Sequence, residues 1–245
     1  MTKKIAVLVA IVSLQFYSSN APANAQQEIV IPDYVTNALN DPGRPDIDKF
    51  RDDRRKPGAT VTFAGVAPGM VIAELIPGTG YFTRILSKVV GDSGRIYTIP
   101  FREPRAAASR ALAENQSYAN ITLVNGTPTN FGLPEKVDLV WTTQNYHDVR
   151  NLHAQINRQV FESLRPGGTY FIVDHSAKPN AEEESISLHR IDKQIVIQQV
   201  TEVGFVLEAE SDILRNPNDD LTLQVFERDL NRNTDQFVLK FQKPR

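Results

Sequence analysis

The chain has 245 residues, 41% hydrophobic and 23% charged, with no cysteine. That is ordinary globular composition, enough for one sizeable α/β core, and it excludes wholesale disorder, disulfide scaffolds and thiolate metal sites. The net charge is −2, and loss of Lys3 and Lys4 with an N-terminal leader would make it −4, which argues against nucleic acid as a partner.

The leader is the first element in chain order. "MTKKIAVLVAIVSLQFYSSNAPANAQQ" has Lys3 and Lys4, an apolar run from Ile5 to Phe16, and small residues ending in Ala23-Asn24-Ala25. This is the layout of a secretory signal peptide over residues 1–25, so cleavage after Ala25 and export to the periplasm or medium are expected. The apolar run is short for a bilayer span, so no stable membrane insertion is expected after cleavage; an uncleaved anchor is the alternative.

Residues 26–65 are polar and punctuated by proline, and they read as an N-terminal arm or lid with one or two helices. Its basic cluster, "RDDRRK" from Arg51 to Lys56, is interleaved with aspartates and reads as a solvated helix face. Residues 66–245 form the main domain. There, apolar runs at "MVIAELI", "GRIYTI", "NITLVN", "VDLVWTT" and "GTYFIVD" alternate with helix-compatible stretches such as "EPRAAASRALAEN" and "NLHAQINRQVFESL". Alternation of this kind implies parallel βαβ units. A helix follows over "HRIDKQIVIQQVTEV", closed by Gly204, and "FVLEAES" and "QFVLKFQKP" read as two final strands at one edge. The fold expected is α/β: a Rossmann-like doubly wound sheet of about seven strands, mostly parallel with an antiparallel last strand, and helices on both faces. Ligands of such sheets bind at the C-terminal ends of the strands.

The first strand leads into "AELIPGTGYFT", a carboxylate followed by a glycine-rich turn and an amphipathic helix, the arrangement in which a helix N-terminus faces a ligand. The series "AELIPGTGYFT", "GRIYTI", "DLVWTTQNYHDV", "LRPGGTYFIVDH" and a late "GF" resembles the class I S-adenosylmethionine-dependent methyltransferases. More narrowly, it is similar to predicted bacterial methyltransferases that carry signal peptides. The resemblance implies S-adenosylmethionine as cofactor, held by Glu74, Gly78, Thr79, Gly80, Tyr81, Thr127 and Asn145. It also exposes departures: Ile76 stands where the first glycine of the loop falls, and Pro100 where an acid normally accepts from the ribose hydroxyls, Glu103 being the nearest carboxylate.

Three of the four histidines lie at expected active-face positions, each near an aspartate: His147 with Asp148 after the fourth strand, His175 with Asp174 after the fifth, and His189 with Asp192 in "LHRID". A histidine there suits a general base, because its pKa lies near neutrality. The expected catalytic residues are His147, Asp148 and His175, with Tyr146, His189 and Asp192 against a small-molecule acceptor. Two other readings stay open: a His/Asp metal site, and aspartates that merely cap helices and knit loops. His153 reads as a surface residue of the following helix. The alternative functions are a non-catalytic binding protein on the same scaffold, motivated by Ile76 and Pro100, and a metal-dependent enzyme that does not use S-adenosylmethionine, motivated by the three His-Asp pairs. No G-x-S-x-G elbow is present, which disfavours a serine hydrolase.

Overall fold

The computed structural model describes residues 29–102, 106–181, 187–228, 230 and 233–245. The leader over residues 1–25 and Glu103 lie outside the described residues. Among the described residues four short helices come first: α1 Asp33–Leu39, α2 Asp46–Lys49, α3 Asp52–Arg55 and α4 Pro57–Ala64. Then follow β1 Val71–Leu75, α5 Tyr81–Val90, β2 Arg95–Ile99, α6 Ala106–Ala113, β3 Ile121–Leu123, β4 Val137–Thr143, α7 His153–Ser163 and β5 Leu164–His175. The chain ends with α8 Lys193–Thr201, β6 Val206–Ser211 and β7 Gln236–Gln242.

The seven strands form one sheet in the order β3-β2-β1-β4-β5-β7-β6. Strands β1 to β5 pair in parallel, and β7 enters antiparallel between β5 and β6. The expected mixed sheet is therefore present, with the last strand interior rather than at the edge. Alternating side chains feed the two faces. Ile72, Leu139, Trp141, Phe171 and Val238 join α1, α4, α5 and α6 in one buried cluster; Ala73, Val140, Tyr170, Ile172 and Leu239 join α7 and α8 in the other. Helix α5 shows how sequence becomes packing: Phe82, Ile85, Leu86 and Val89 recur at helical spacing and are buried against the sheet. Trp141 is fully buried between Phe82 and Phe171, so it belongs to the core and not to a pocket wall. Among the described residues no helix is long and apolar enough to cross a membrane.

Helices α1 to α4 share the core through Val35, Ala38, Val61 and Ala64, all buried. Charged contacts fix them over the N-terminus of α5. Arg44 is buried and donates to both carboxylate oxygens of Asp52, at 3.0 and 2.6 Å. Asp52 also accepts from the Tyr81 hydroxyl at 2.6 Å, and Asp48 pairs with Arg84 at 2.8 Å.

Candidate functional site

The C-terminal ends of β1, β4 and β5 meet beneath α3. At the end of β1, Glu74 is buried and accepts from the Thr83 hydroxyl of α5 at 2.5 Å. Burial pushes its carboxyl up to about 8, against the opposing pull of that bond and of Arg55 and Arg84. The turn that follows uses left-handed backbone three times, at Ile76 (φ 49°), Gly78 (φ 62°) and Gly80 (φ 84°). Glycine suits the last two; at Gly80 an added Cβ would also lie 2.3 Å from Leu112 Cδ1. Beside Gly78 a Cβ would meet nothing within 4 Å, so the backbone there faces open space. Ile76 keeps the glycine-like conformation without being glycine, and its side chain is buried. Its carbonyl accepts from Asn145 Nδ2 at 3.1 Å, which also bonds Thr143 O at 2.6 Å, so Asn145 ties the β4 loop to the glycine turn.

At the end of β2, Pro100 is buried and Phe101 packs on Phe131, ring centres 5.7 Å apart. The described part of this corner is therefore apolar where a ribose-binding acid would stand. Thr127 is exposed in a tight turn, its hydroxyl near Thr129 and Asn130.

The histidine cluster is held from beneath by Asp174, which is fully buried at the end of β5. It accepts from the backbone N–H of His147 at 2.8 Å and of His175 at 2.7 Å, and its Oδ1 lies 2.7 Å from His147 Nδ1. A carboxylate there keeps the proton on Nδ1 and turns Nε2 outward. Burial opposes charge on His147, but Asp174, with a lesser contribution from Asp148, outweighs it and raises the imidazole above its usual value. Asp174 is correspondingly held low despite its burial, chiefly by His147. His147 Nε2 lies 3.4 Å from Asp148 Oδ1, and His189 Nδ1 is 3.4 Å from the same oxygen. His175 behaves differently: burial pushes it down to about 3, and its Nδ1 meets the Thr234 hydroxyl at 2.6 Å.

Two openings reach this cluster. A cavity of about 250 Å³ is lined by Arg51, Arg54, Arg55, Thr79, Gln144 and His175, together with Phe226. A wider groove of about 670 Å³ between α7 and α8 is bordered by His147, Arg150, Arg158, Ile191 and Ile195.

The structure corrects several expectations. Tyr146 does not face an acceptor: it is buried in the α7/α8 core, its hydroxyl bonded to Gln199 and Asn157. Asp192 caps α8, accepting from Gln194 N and Asn180 N, and joins no histidine. His153 is half-buried, stacked on Tyr146 at 4.7 Å and bonded to its carbonyl, rather than a surface residue. The sequence-adjacent His/Asp pairs are exchanged in space, since His147 takes Asp174 while Asp148 is shared with His189. Arg55 is not on a solvated face: it is half-buried, lies 4.6 Å over the Tyr81 ring and donates to Gln144 Oε1 at 2.8 Å. Tyr81 itself is buried under the arm.

Residues 74–172 match the family model of the methyltransferase domain. This stretch starts at the buried Glu74 and ends inside β5. Over residues 74–172 the chain is thus similar to the methyltransferase domain family, and its fold is that of the S-adenosylmethionine-dependent methyltransferases. It is 26% identical over 125 residues to the ubiquinone/menaquinone biosynthesis C-methyltransferase of Shewanella pealeana, covering 50% of this chain and 49% of that protein. The chain thus spans about half the length of the curated relative it matches. Among solved structures, a methyltransferase from Aquifex aeolicus shares the fold at a TM-score of 0.62 and 15% identity, over 81% of this chain and 98% of that one. Fibrillarin of Aeropyrum pernix, solved with S-adenosyl-L-methionine, shares it at 0.51 and 18%, over 75% and 73%. Within this methyltransferase frame, sequence reasoning missed Arg55, gave Gln144 no role, and set Asp174 beside His175 without seeing that it holds the His147 ring. Only Asp174 carried a local signal, in the "VDH" that ends a strand.

Proposed function

We propose that the protein is an S-adenosylmethionine-dependent methyltransferase that acts on a small-molecule acceptor. The observation that carries the reading is that the Glu74–Gly78–Gly80 turn and the His147–Asp174 pair both stand at the C-terminal ends of the parallel strands β1, β4 and β5, the turn bordering the cavity through Thr79 and His147 bordering the groove beside it. The residues fit the methionine end of the cofactor: open space beside Gly78, the free amides that begin α5, and Glu74 beneath them. Bound there, the sulfonium supplies an electrophilic methyl group. Thr79 and Arg55 border the cavity between this turn and His175, so the arm shields the transfer path from water and orients the acceptor.

Acceptor activation falls to His147 Nε2. This nitrogen is placed to receive the acceptor's proton; an ion held by it would instead supply a Lewis acid that eases loss of that proton. Asp174 fixes the ring in either case. The relatives named for quinone methylation favour a small acceptor, and the acidic net charge disfavours nucleic acid. Export after cleavage at Ala25 belongs to the same proposal, and N-terminal sequencing of the protein recovered from a bacterial host tests it.

A binding protein on this scaffold is the second reading, favoured by Pro100 and Phe101 at the ribose corner. Calorimetric titration with S-adenosylmethionine and S-adenosylhomocysteine decides between them and the enzyme. The enzyme reading expects binding of both with turnover on a small acceptor; absence of heat at about millimolar ligand removes it.

A further inference from the structure

We infer that His147, Asp148 and His189 form a binding site for a divalent transition-metal ion, open on one side to a further ligand. The inference goes beyond methyl transfer, since it concerns the cluster whatever donor or acceptor the cleft takes.

Three observations carry it. The first is spacing. His147 Nε2 and His189 Nδ1 each lie 3.4 Å from Asp148 Oδ1, and one donor atom from each residue falls within 4.8 Å of the other two. Donors about 2.0–2.2 Å from a shared ion in tetrahedral array stand about 3.3 Å apart. The same 3.4 Å is long for an N–H···O bond, whose usual range is about 2.7–3.2 Å. It contrasts with the 2.7 Å bond that His147 makes through its other nitrogen.

The second observation is that other nitrogen. Metal-bound histidines commonly donate their remaining N–H to a carboxylate, which fixes the tautomer and raises ligand basicity. Buried Asp174 does this for His147, and it also accepts from the His147 amide, so both ring and backbone are set by one group. The third is backbone. His189 sits in the left-handed region at φ 57°, a strained conformation for histidine that brings its ring edge-on to His147 at 5.4 Å. Phe226 packs on its other side at 5.1 Å.

Two imidazoles and one carboxylate suit zinc, iron(II) or manganese(II), and three protein ligands leave room for water or an acceptor oxygen. An ion here would lower the pKa of that oxygen, while His147 serves as its ligand.

The test uses the chelator-treated full chain and cobalt(II), whose visible absorption reports coordination. One cobalt per chain with a d–d band is expected. His189→Asn, which keeps a residue tolerant of left-handed backbone, and Asp148→Asn should each weaken binding more than about 100-fold, and Asp174→Asn by about 10- to 100-fold. His153→Gln should leave it unchanged. Absence of the band in the wild type, or its persistence in His189→Asn and Asp148→Asn with intact circular dichroism, overturns the site. S-adenosylmethionine calorimetry on the same samples separates the two proposals. Cofactor binding without cobalt removes only the metal, and cobalt without cofactor binding removes only the methyltransferase reading.

Discussion

Replacing Glu74 by Gln keeps the side chain's shape and removes one ionisable proton from the base of the glycine turn. In the folded protein the carboxyl is raised to about 8 from about 4.5, chiefly by burial. An acid with a raised folded-state pKa stays protonated when the unfolded chain would ionise it, so unfolding releases a proton between these values. Stability from this group is therefore lost as pH rises through that window. The slope is about a factor of ten in the folding constant per pH unit, or roughly 5 kcal/mol over the whole window as an upper bound. The Gln variant lacks this dependence, so it should gain on the wild type as pH rises. Guanidinium unfolding of both proteins at several values between about pH 5 and 9 measures the difference, in which the other titrating groups cancel. A difference that stays flat across this range refutes the protonated-carboxyl argument. The same group offers a ligand signature: an ammonium beside Glu74 would lower its pKa and release a proton on binding near neutrality, visible by calorimetry in two buffers and missing in the variant.

The remaining predictions span stability and turnover. His175→Gln should show the opposite slope: the folded imidazole is held at about 3, so the wild type loses stability as pH falls below about 6.5, and the variant, compared by the same unfolding series, does not. Asp174→Asn should lower kcat by about 100-fold or more while changing cofactor affinity little, because the ring of His147 loses its orienting carboxylate; equal loss of both in a folded variant would instead assign Asp174 to the cofactor pocket. Gly80→Ala should lower thermal stability by about 1–3 kcal/mol, from the left-handed backbone and the Leu112 contact, and Gly78→Ala by less, since open space lies beside it. Paired calorimetric scans check the order.

The sheet was readable because apolar runs and helix periods are local signals: the first four runs, from "MVIAELI" to "VDLVWTT", contain β1 to β4, and "GTYFIVD" lies within the longer β5. Glu74 and the glycine turn were readable for the same reason, each being a short contiguous pattern. The site's pairings were not. Nearness in sequence suggested His147 with Asp148 and His175 with Asp174, but β4 and β5 are parallel neighbours, so their ends deliver His147 onto Asp174 across the strands. Asp192 carried a readable cue, an aspartate just before the amphipathic "KQIVIQQVT", and capping accounts for it. Tyr146 was hidden because the tight turn after β4 rotates its ring towards Gln199 and Asn157, whose positions depend on how α7 and α8 pack. Arg55 was hidden for a related reason: its partners, Tyr81 and Gln144, come from distant parts of the chain, and charge interleaving says nothing of them.

The position of β7 has a bearing on how the protein is made. Strands β5 and β6 are not paired with each other; each bonds to β7. Until residues 236–242 emerge from the ribosome, the long edge of β5 has no neighbour and β6 has none at all, so the sheet cannot close on a growing chain. Closure by an interior strand that comes after the other six in the chain makes completion of the sheet a late event, and it leaves a bare β5 edge as the surface most in need of a chaperone's protection during synthesis.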